Sequence, residues 1–306
     1  MATNWEKHDG EQRGNATAQK LLEAKLESHR QLLGDEHPDT LTAMVGLARA
    51  LFRQGDGAGA IKLQEQVLEA RRRLLGEGHP DTLRSASDLA VLLYSQGDLE
   101  EAREIQGQVL EQIRLVHGEE HVNTLTAMNN LAATLKALGD LVATRKLQEQ
   151  VLEARRRLLG EEHPDSLSAV TNLAGTLCSQ GDLATAQELQ EQVLEASLRL
   201  LGPDHSNSLT AMSNLAVTLY SQGDRSRARK LQEQVLATRI RLLGEEHASS
   251  LWAKSNLAQT LYSQGDRSRA RKLEEQVLET RRRLLGVEHP DTQSAKKNLA
   301  RMNREP

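Results

Sequence analysis

The chain has 306 residues, 39 basic and 43 acidic side chains for a net charge of −4, and only 2% aromatic residues. The small and evenly mixed charge excludes the strongly basic surface of a nucleic-acid or anionic-membrane binder. A single cysteine excludes an intramolecular disulfide framework and favours a reducing compartment. Abundant Leu, Ala, Glu, Gln and Arg favour helices, so the composition predicts an all-α protein.

The first residues carry charges where a signal peptide needs an apolar core. No apolar run approaches the roughly 20 residues that a membrane span requires, so we expect a soluble, cytoplasmic protein without a membrane partner. Residues 1–14 are predicted to form an N-terminal extension that folds back over the first helix. Residues 15–34 match a single unpaired helix, of the type called helix B below.

A 42-residue period organises residues 35–286. Gly-x-x-His begins at Gly34 and recurs in 42-residue steps as far as Gly286, and a Gly-Asp pair recurs with the same step from Gly55 to Gly265. Seven copies of the first marker and six of the second, without an insertion or deletion, indicate an internal repeat.

Each period contains two amphipathic helical patterns. Helix A begins after the histidine and ends at Gly-Asp, with apolar residues such as Leu125, Met128 and Leu135 on one side. Helix B runs from Gly-Asp to the next Leu-Leu-Gly, where Gly160 is predicted to be a left-handed terminating residue. One such hairpin cannot bury both apolar stripes, whereas stacked hairpins share a core. The pattern therefore predicts an α-solenoid of about 14 helices.

Residues 287–306 match helix A only, as a C-terminal half repeat with a polar surface. An unpaired helix B at one end and an unpaired helix A at the other are complementary. Two copies joined head to tail complete one more repeat, so self-association is a second hypothesis beside partner binding.

The residues of the repeat also resemble a known family. Asn-Leu-Ala-x-x-Leu-x-x-x-Gly-Asp, at residues 130–140, is similar to the tetratricopeptide repeat. The 42-residue period with Leu-Leu-Gly-x-x-His-Pro-Asp resembles the variant in kinesin light chains and similar bacterial proteins. The resemblance implies a right-handed superhelix whose concave groove, lined by helix A, holds peptides or partner proteins. Leucines such as Leu93 and Leu177 replace the family's usual aromatic residue, which predicts an aliphatic core.

The resemblance further implies that one asparagine register of helix A faces the groove, where each amide is able to bind a peptide backbone. The alternative is a ladder of asparagines bonded between neighbouring repeats, and both interpretations stay open. Two adjacent registers supply further groove candidates, and the sixth helix pair with Trp252 is the least uniform copy, as expected of a binding hot spot. The predicted peptide-binding residues are Asn130, Asn172, Asn214, Asn256, Asn298, Asn129, Thr126, Thr171, Ser213, Trp252 and Ser255.

Other residue types in the repeat have structural interpretations. Histidines spaced one repeat apart lie too far from one another to share a metal ion, so they are predicted to tie off helix ends. The residue at the position of Cys178 varies among the copies, so Cys178 is predicted to fill space or to form part of the groove wall. The arginine triplets, beginning at Arg71, Arg155 and Arg281, are predicted to be solvated helix ends or contacts for an acidic partner.

The leading hypothesis is a non-enzymatic scaffold for protein or peptide partners of unknown identity. The sequence has no glycine-rich phosphate loop, metal cluster or catalytic pair, and we expect no catalytic residue, cofactor, metal or nucleic acid. A third possibility, drawn from the resemblance alone, is that the chain is the sensor part of a larger signalling protein.

Overall fold

The computed structural model describes the backbone of residues 4–304 and the side chains of residues 18–303. This part of the chain contains fourteen helices and no strand, in agreement with the predicted all-α fold. The helices are α1 (Asn4–Leu33), α2 (Pro38–Arg53), α3 (Gly57–Leu75), α4 (Pro80–Gln96), α5 (Leu99–His117), α6 (Val122–Ala137), α7 (Leu141–Leu159), α8 (Pro164–Gln180), α9 (Leu183–Leu201), α10 (Ser206–Gln222), α11 (Arg225–Leu243), α12 (Ala248–Ser263), α13 (Arg267–Leu285) and α14 (Pro290–Arg304).

The first helix is longer than the predicted one. It begins at Asn4, so the backbone of residues 4–14 continues α1 where the sequence analysis expected a segment that folds back. Even-numbered helices from α2 to α14 correspond to helix A, and odd-numbered helices correspond to helix B.

Helix ends follow the repeated markers. The histidine before each A helix is its N-cap, and Nδ1 of His163 accepts a hydrogen bond from the Asp165 backbone N–H at 3.1 Å. The aspartate of Gly-Asp caps most B helices in the same way, as when the Asp182 carboxylate accepts from the Thr185 N–H at 3.3 Å. These contacts satisfy backbone donors that a helix start leaves without a partner.

The glycine that ends each B helix has a positive φ, as predicted. Gly160 has φ 92°. Its counterpart Gly202 combines φ 83° with ψ 170°, which lies outside the left-handed helical region. The chain therefore leaves helix B in an extended conformation that only glycine adopts without strain, rather than in the predicted left-handed helical one.

The described chain divides within α7 into two compact units, Met1–Val151 and Leu152–Pro306. Within each unit, helices that follow one another in the sequence pack together, which is the arrangement of an all-α solenoid.

The core is aliphatic, as predicted. Leu93 in the first unit and Leu177, Leu219 and Leu261 in the second are almost completely buried. Trp252, by contrast, is 42% exposed. The bulk of the apolar stabilisation therefore comes from leucine, valine and alanine side chains repeated along the sequence.

Candidate functional site

The predicted site residues occupy three registers of helix A. On α8 these are Ser168, Thr171 and Asn172, and their spacing of three and four residues puts them on the same side of the helix. Ser168 and Asn172 are exposed, and Thr171 is half-buried. We call the surface that these three registers form on the A helices of each unit the A face.

A cleft of about 470 Å³ opens on the A face of the second unit, lined by side chains of α8, α9 and α10. It brings together the predicted residues Thr171, Asn172 and Asn214, with Ser168 and Thr210 beside them. The described residues that line it include no Asp, Glu, Lys or Arg. The cleft is thus a surface of amides, hydroxyls and aliphatic side chains with the His205 imidazole, and it carries no acidic side chain, lysine or arginine.

The amides of Asn172 and Asn214 in this cleft are not used by the fold. Among the side chains of residues 18–303, neither Asn172 nor Asn214 has a hydrogen-bond partner for its amide, and Asn214 is half-buried. Each amide offers two donors and one acceptor, which suits the alternating N–H and C=O groups of an extended peptide.

The equivalent cleft of the first unit, between α2 and α4, has a similar volume of about 540 Å³ and a different chemistry. Asp88 stands in the asparagine register, and its Oδ2 accepts from Arg49 Nη2 at 3.1 Å. Arg84 also lines this cleft. Asp88 thus occupies the position that Asn214 holds in the second unit, whereas Arg49 corresponds to Gly175.

The candidates on α6 lie on the A face of the first unit. The Thr126 hydroxyl donates to the Val122 carbonyl at 2.8 Å, and Asn129 Nδ2 donates to the Leu125 carbonyl at 3.0 Å. Both side chains are therefore tied to their own helix, whereas Asn130 is exposed and its amide makes no hydrogen bond among the described residues.

Two predicted serines are buried. Ser213 is 5% exposed and Ser255 is 6% exposed. The Ser213 hydroxyl donates to the Leu209 carbonyl at 2.7 Å, and that of Ser255 donates to Glu274 Oε1 at 3.1 Å. Since both hydroxyls are engaged inside the protein, we leave these serines out of the proposed contact residues.

The asparagine register does not form a ladder in the described part of the second unit, because the Asn172, Asn214 and Asn256 amides make no hydrogen bond there. Asn298 is different: its Nδ2 donates to Glu274 Oε1 at 3.2 Å and to Ser255 Oγ at 3.4 Å. Asn298 therefore joins α14 to α12 and α13 instead of facing a ligand.

Glu274 is a charged residue in the core. It is fully buried, and its Oε2 has no hydrogen-bond partner among the described residues. Burial raises the pKa of the Glu274 carboxyl, and the hydrogen bonds from Ser255 and Asn298 and the positive charges of Arg281 and Arg301 oppose that rise. The sequence analysis did not single out this residue, although the other five copies have glutamine at its position.

The histidines and the cysteine have structural contacts. The histidine caps confirm the prediction that these residues tie off helix starts. No group of three or more His, Cys, Asp or Glu side chains among the described residues is arranged to hold a metal ion. Cys178 is half-buried, with its Sγ 3.1 Å from Thr218 Oγ1.

The arginine triplets are only partly solvated, contrary to the prediction of simple solvated helix ends. Arg281 is 8% exposed and donates to the Asp291 carbonyl at 3.0 Å, because the first arginine of the triplet turns toward the next A helix. Arg283, the third, pairs with Glu246. The contact of the first arginine with the next A helix could have been recognised from the sequence, because the arginine and its acceptor residue recur ten positions apart.

Models of the tetratricopeptide repeat match residues 45–111, 87–143 and 165–241, with further matches of related models to 8–73, 124–165 and 250–291. No curated protein sequence matches the chain. In the part of the chain that the structure describes, no helix is both long enough and apolar enough to cross a membrane.

Several solved structures are similar. A Podosopora anserina putative kinesin light chain with nearly identical TPR-like repeats is 30% identical, with a TM-score of 0.62, over 68% of this chain and 98% of that one. BtubC from P. vanneervenii is 22% identical, with a TM-score of 0.61, over 75% and 92% of the two chains. A tetratricopeptide repeat protein from Parabacteroides merdae is 15% identical, with a TM-score of 0.65, over 97% and 96%. The last two show the fold alone.

Tetratricopeptide repeats generally serve as protein-interaction scaffolds. The family models span more than half of the residues, and the fold matches that of the putative kinesin light chain. This chain belongs to the tetratricopeptide repeat family, in its kinesin light chain-like class.

Proposed function

We propose that this chain is a non-enzymatic scaffold that binds an extended segment of a partner protein along its A face. The contact residues in the second unit are Asn172, Asn214, Asn256, Trp252 and Thr171, whose hydroxyl donates to the Leu167 carbonyl at 2.9 Å and is still able to accept a hydrogen bond. In the first unit the contact residue is Asn130, whose amide makes no hydrogen bond among the described residues.

The observation that most supports this proposal is the cleft between α8 and α10. Asn172 and Asn214 lie one repeat apart, and each offers an unused amide at the cleft. A backbone segment that crosses the two helices is able to meet the same donor and acceptor pattern twice. The aliphatic side chains of Leu200 and Leu201 in the lining add apolar surface for a side chain of the segment.

The test begins with a random library of 12-residue displayed peptides, selected on the whole chain. Selected peptides are then titrated by calorimetry against the parent chain and the Asn172→Ala/Asn214→Ala variant. Losing up to four hydrogen bonds to the two amides is expected to weaken binding by about tenfold or more. The matched control is Gln192→Ala/Gln276→Ala, which removes two exposed amides from B helices and is expected to leave the affinity unchanged.

Equal affinity of every selected peptide for the parent and the asparagine variant would remove these residues from the site. Failure to select any peptide would count against the proposed function as a whole. Self-association is tested separately by light scattering over a concentration series. A mass that rises reversibly with concentration would favour head-to-tail association of copies over segment binding.

A further inference from the structure

The side chains at one repeated position of helix B contact the following A helix. The side chain at this position bonds to the backbone carbonyl of the residue ten positions later, at 3.0–3.3 Å. The five copies that do so are His29 to Asp39, Arg71 to Asp81, Arg155 to Asp165, Arg239 to Ser249 and Arg281 to Asp291. The hydrogen bond is thus a recurring feature of the repeat.

In four of the five copies the carbonyl belongs to an aspartate, so an acidic residue lies ten positions after the basic one. Where the register is Ile113 or Ser197, the residue ten positions later is asparagine, Asn123 or Asn207. The basic and acidic members are therefore present together or absent together. Arg239 is the exception, since its acceptor is Ser249.

Arg239 is a half-buried cation that makes no ion pair in the described part of the chain, as is also true of Arg71 and Arg155, and it differs from them in having no aspartate ten residues later. Its Nη1 donates to the Ser249 carbonyl at 3.1 Å, and its Nη2 approaches Ser213 Oγ at 3.4 Å. Burial lowers the pKa of the Arg239 guanidinium, which marks a positive charge that the fold solvates poorly.

An exposed aromatic residue lies beside this cation. The Arg239 guanidinium carbon is 5.5 Å from the centre of the Trp252 ring, and Trp252 is 42% exposed. Trp252 occupies the register of Ser168 and Thr210, which line the cleft between α8 and α10, so it belongs to the A face.

We propose that Arg239 and Trp252 form a subsite for an acidic side chain of the partner segment. The carboxylate pairs with guanidinium N–H groups, and the adjoining part of the segment lies against the indole ring. The ligand carboxylate compensates the charge of Arg239, the one arginine of this register with no aspartate ten residues later. This inference rests on the proposed function, because it names the chemistry of one residue in the segment bound by the A face.

The geometry suits a carboxylate. A guanidinium has five N–H donors, and the two hydrogen bonds to Ser249 and Ser213 leave others for a ligand. Charge-assisted hydrogen bonds between arginine and a carboxylate are about twice as strong as neutral ones. Partial burial reduces the screening that weakens such pairs on an open surface.

The probe is a capped hexaglutamate peptide, and the readout is the fluorescence of Trp252. The chain has two tryptophans, so Trp5→Phe in the full chain isolates the signal of Trp252. Hexaglutamate at low salt is expected to give a saturable change in fluorescence, whereas capped hexalysine and a capped glycine-serine hexapeptide are expected to give none.

Three variants of the Trp5→Phe chain test whether Arg239 supplies the charge that binds hexaglutamate. Arg239→Gln is expected to weaken hexaglutamate binding by about tenfold or more, since it removes a charge-assisted hydrogen bond. Ser249→Asp is expected to weaken it to a similar extent, because it restores the acid of the other copies while keeping Arg239. Arg155→Gln, at the same register with Asp165 present, removes an equal charge and is expected to have no effect.

Equal binding of hexaglutamate to the parent, Arg239→Gln and Ser249→Asp chains would overturn the inference, as would the same response to the glycine-serine peptide. A saturable response to inorganic phosphate at equal charge concentration would also overturn it, since the subsite would then take any anion. If displayed peptides bind with dependence on Asn172 and Asn214 while these variants change nothing, the proposed function survives and this subsite fails.

Discussion

Glu274 is a single difference from the other copies that changes the chemistry of the buried core. Glutamine occupies this position in the other five copies, and it is buried in each of them. A carboxyl group has the same shape, but it becomes charged when it ionises, and its Oε2 has no partner among the described residues. The last helix pair and α14 therefore enclose a group that is more stable with a proton than without one.

The sign of the pH dependence follows from the raised pKa of Glu274. The folded state binds the proton more tightly than the unfolded state, in which the pKa is about 4.3. The contribution of this group to stability is fully present below the unfolded pKa and is lost as the pH rises through the folded pKa.

Glu274→Gln is therefore expected to raise the free energy of unfolding at pH 7 by about 1–3 kcal/mol, because the amide keeps the shape of the carboxyl and carries no charge that burial penalises. The gain is expected to shrink as the pH is lowered toward 4. Urea unfolding followed by circular dichroism between pH 4 and pH 8 measures it. A variant that is less stable than the parent at pH 7, or that keeps the parent's pH dependence, contradicts this account.

Residue-level predictions from the sequence succeeded where the helix period alone decides exposure. The period places Asn172 on an open face of α8, and the structure exposes it there. Ser213 and Ser255 are buried because neighbouring helices cover them, and the period of their own helix carries no information about that cover. The role of Arg239 depends on a hydrogen bond to the next A helix, which only a comparison of copies at ten-residue spacing reveals.

At the scale of the helix, the repeated histidine is a start signal. In each copy its Nδ1 accepts the backbone N–H two residues later at 3.1–3.2 Å. Proline follows the histidine in four of these starts, where its missing N–H removes no helical hydrogen bond. The boundaries of the A helices were predictable because these local signals determine them.

His163→Ala is expected to lower the free energy of unfolding by about 1 kcal/mol, because it leaves the Asp165 N–H without its acceptor. His163→Asn is the matched control, since asparagine is a strong N-cap and is expected to retain most of the stability. Thermal and urea unfolding of the two variants compare these effects. Equal losses in both variants would indicate that the imidazole ring contributes by packing and not by capping.

At the scale of the whole molecule, the 42-residue period predicted the number and type of helices because each copy repeats the same core positions. The division into two compact units within α7 was not predicted. No marker in the sequence of α7 sets it apart, since residues 147–160 repeat residues 63–76 without a change. The copies differ instead in the side chains that line their clefts, which are charged in the first unit and lack Asp, Glu, Lys and Arg in the second.

The most direct test of the central claim is to locate a bound segment on the whole chain. A selected 12-residue peptide carrying a benzophenone group at successive positions is cross-linked to the protein, and the modified residues are identified by mass spectrometry. We expect cross-links on the A face of the second unit, at or beside Thr171, Asn172, Thr210, Asn214 and Trp252. Cross-links confined to the B helices, with none on the A face, would contradict the account.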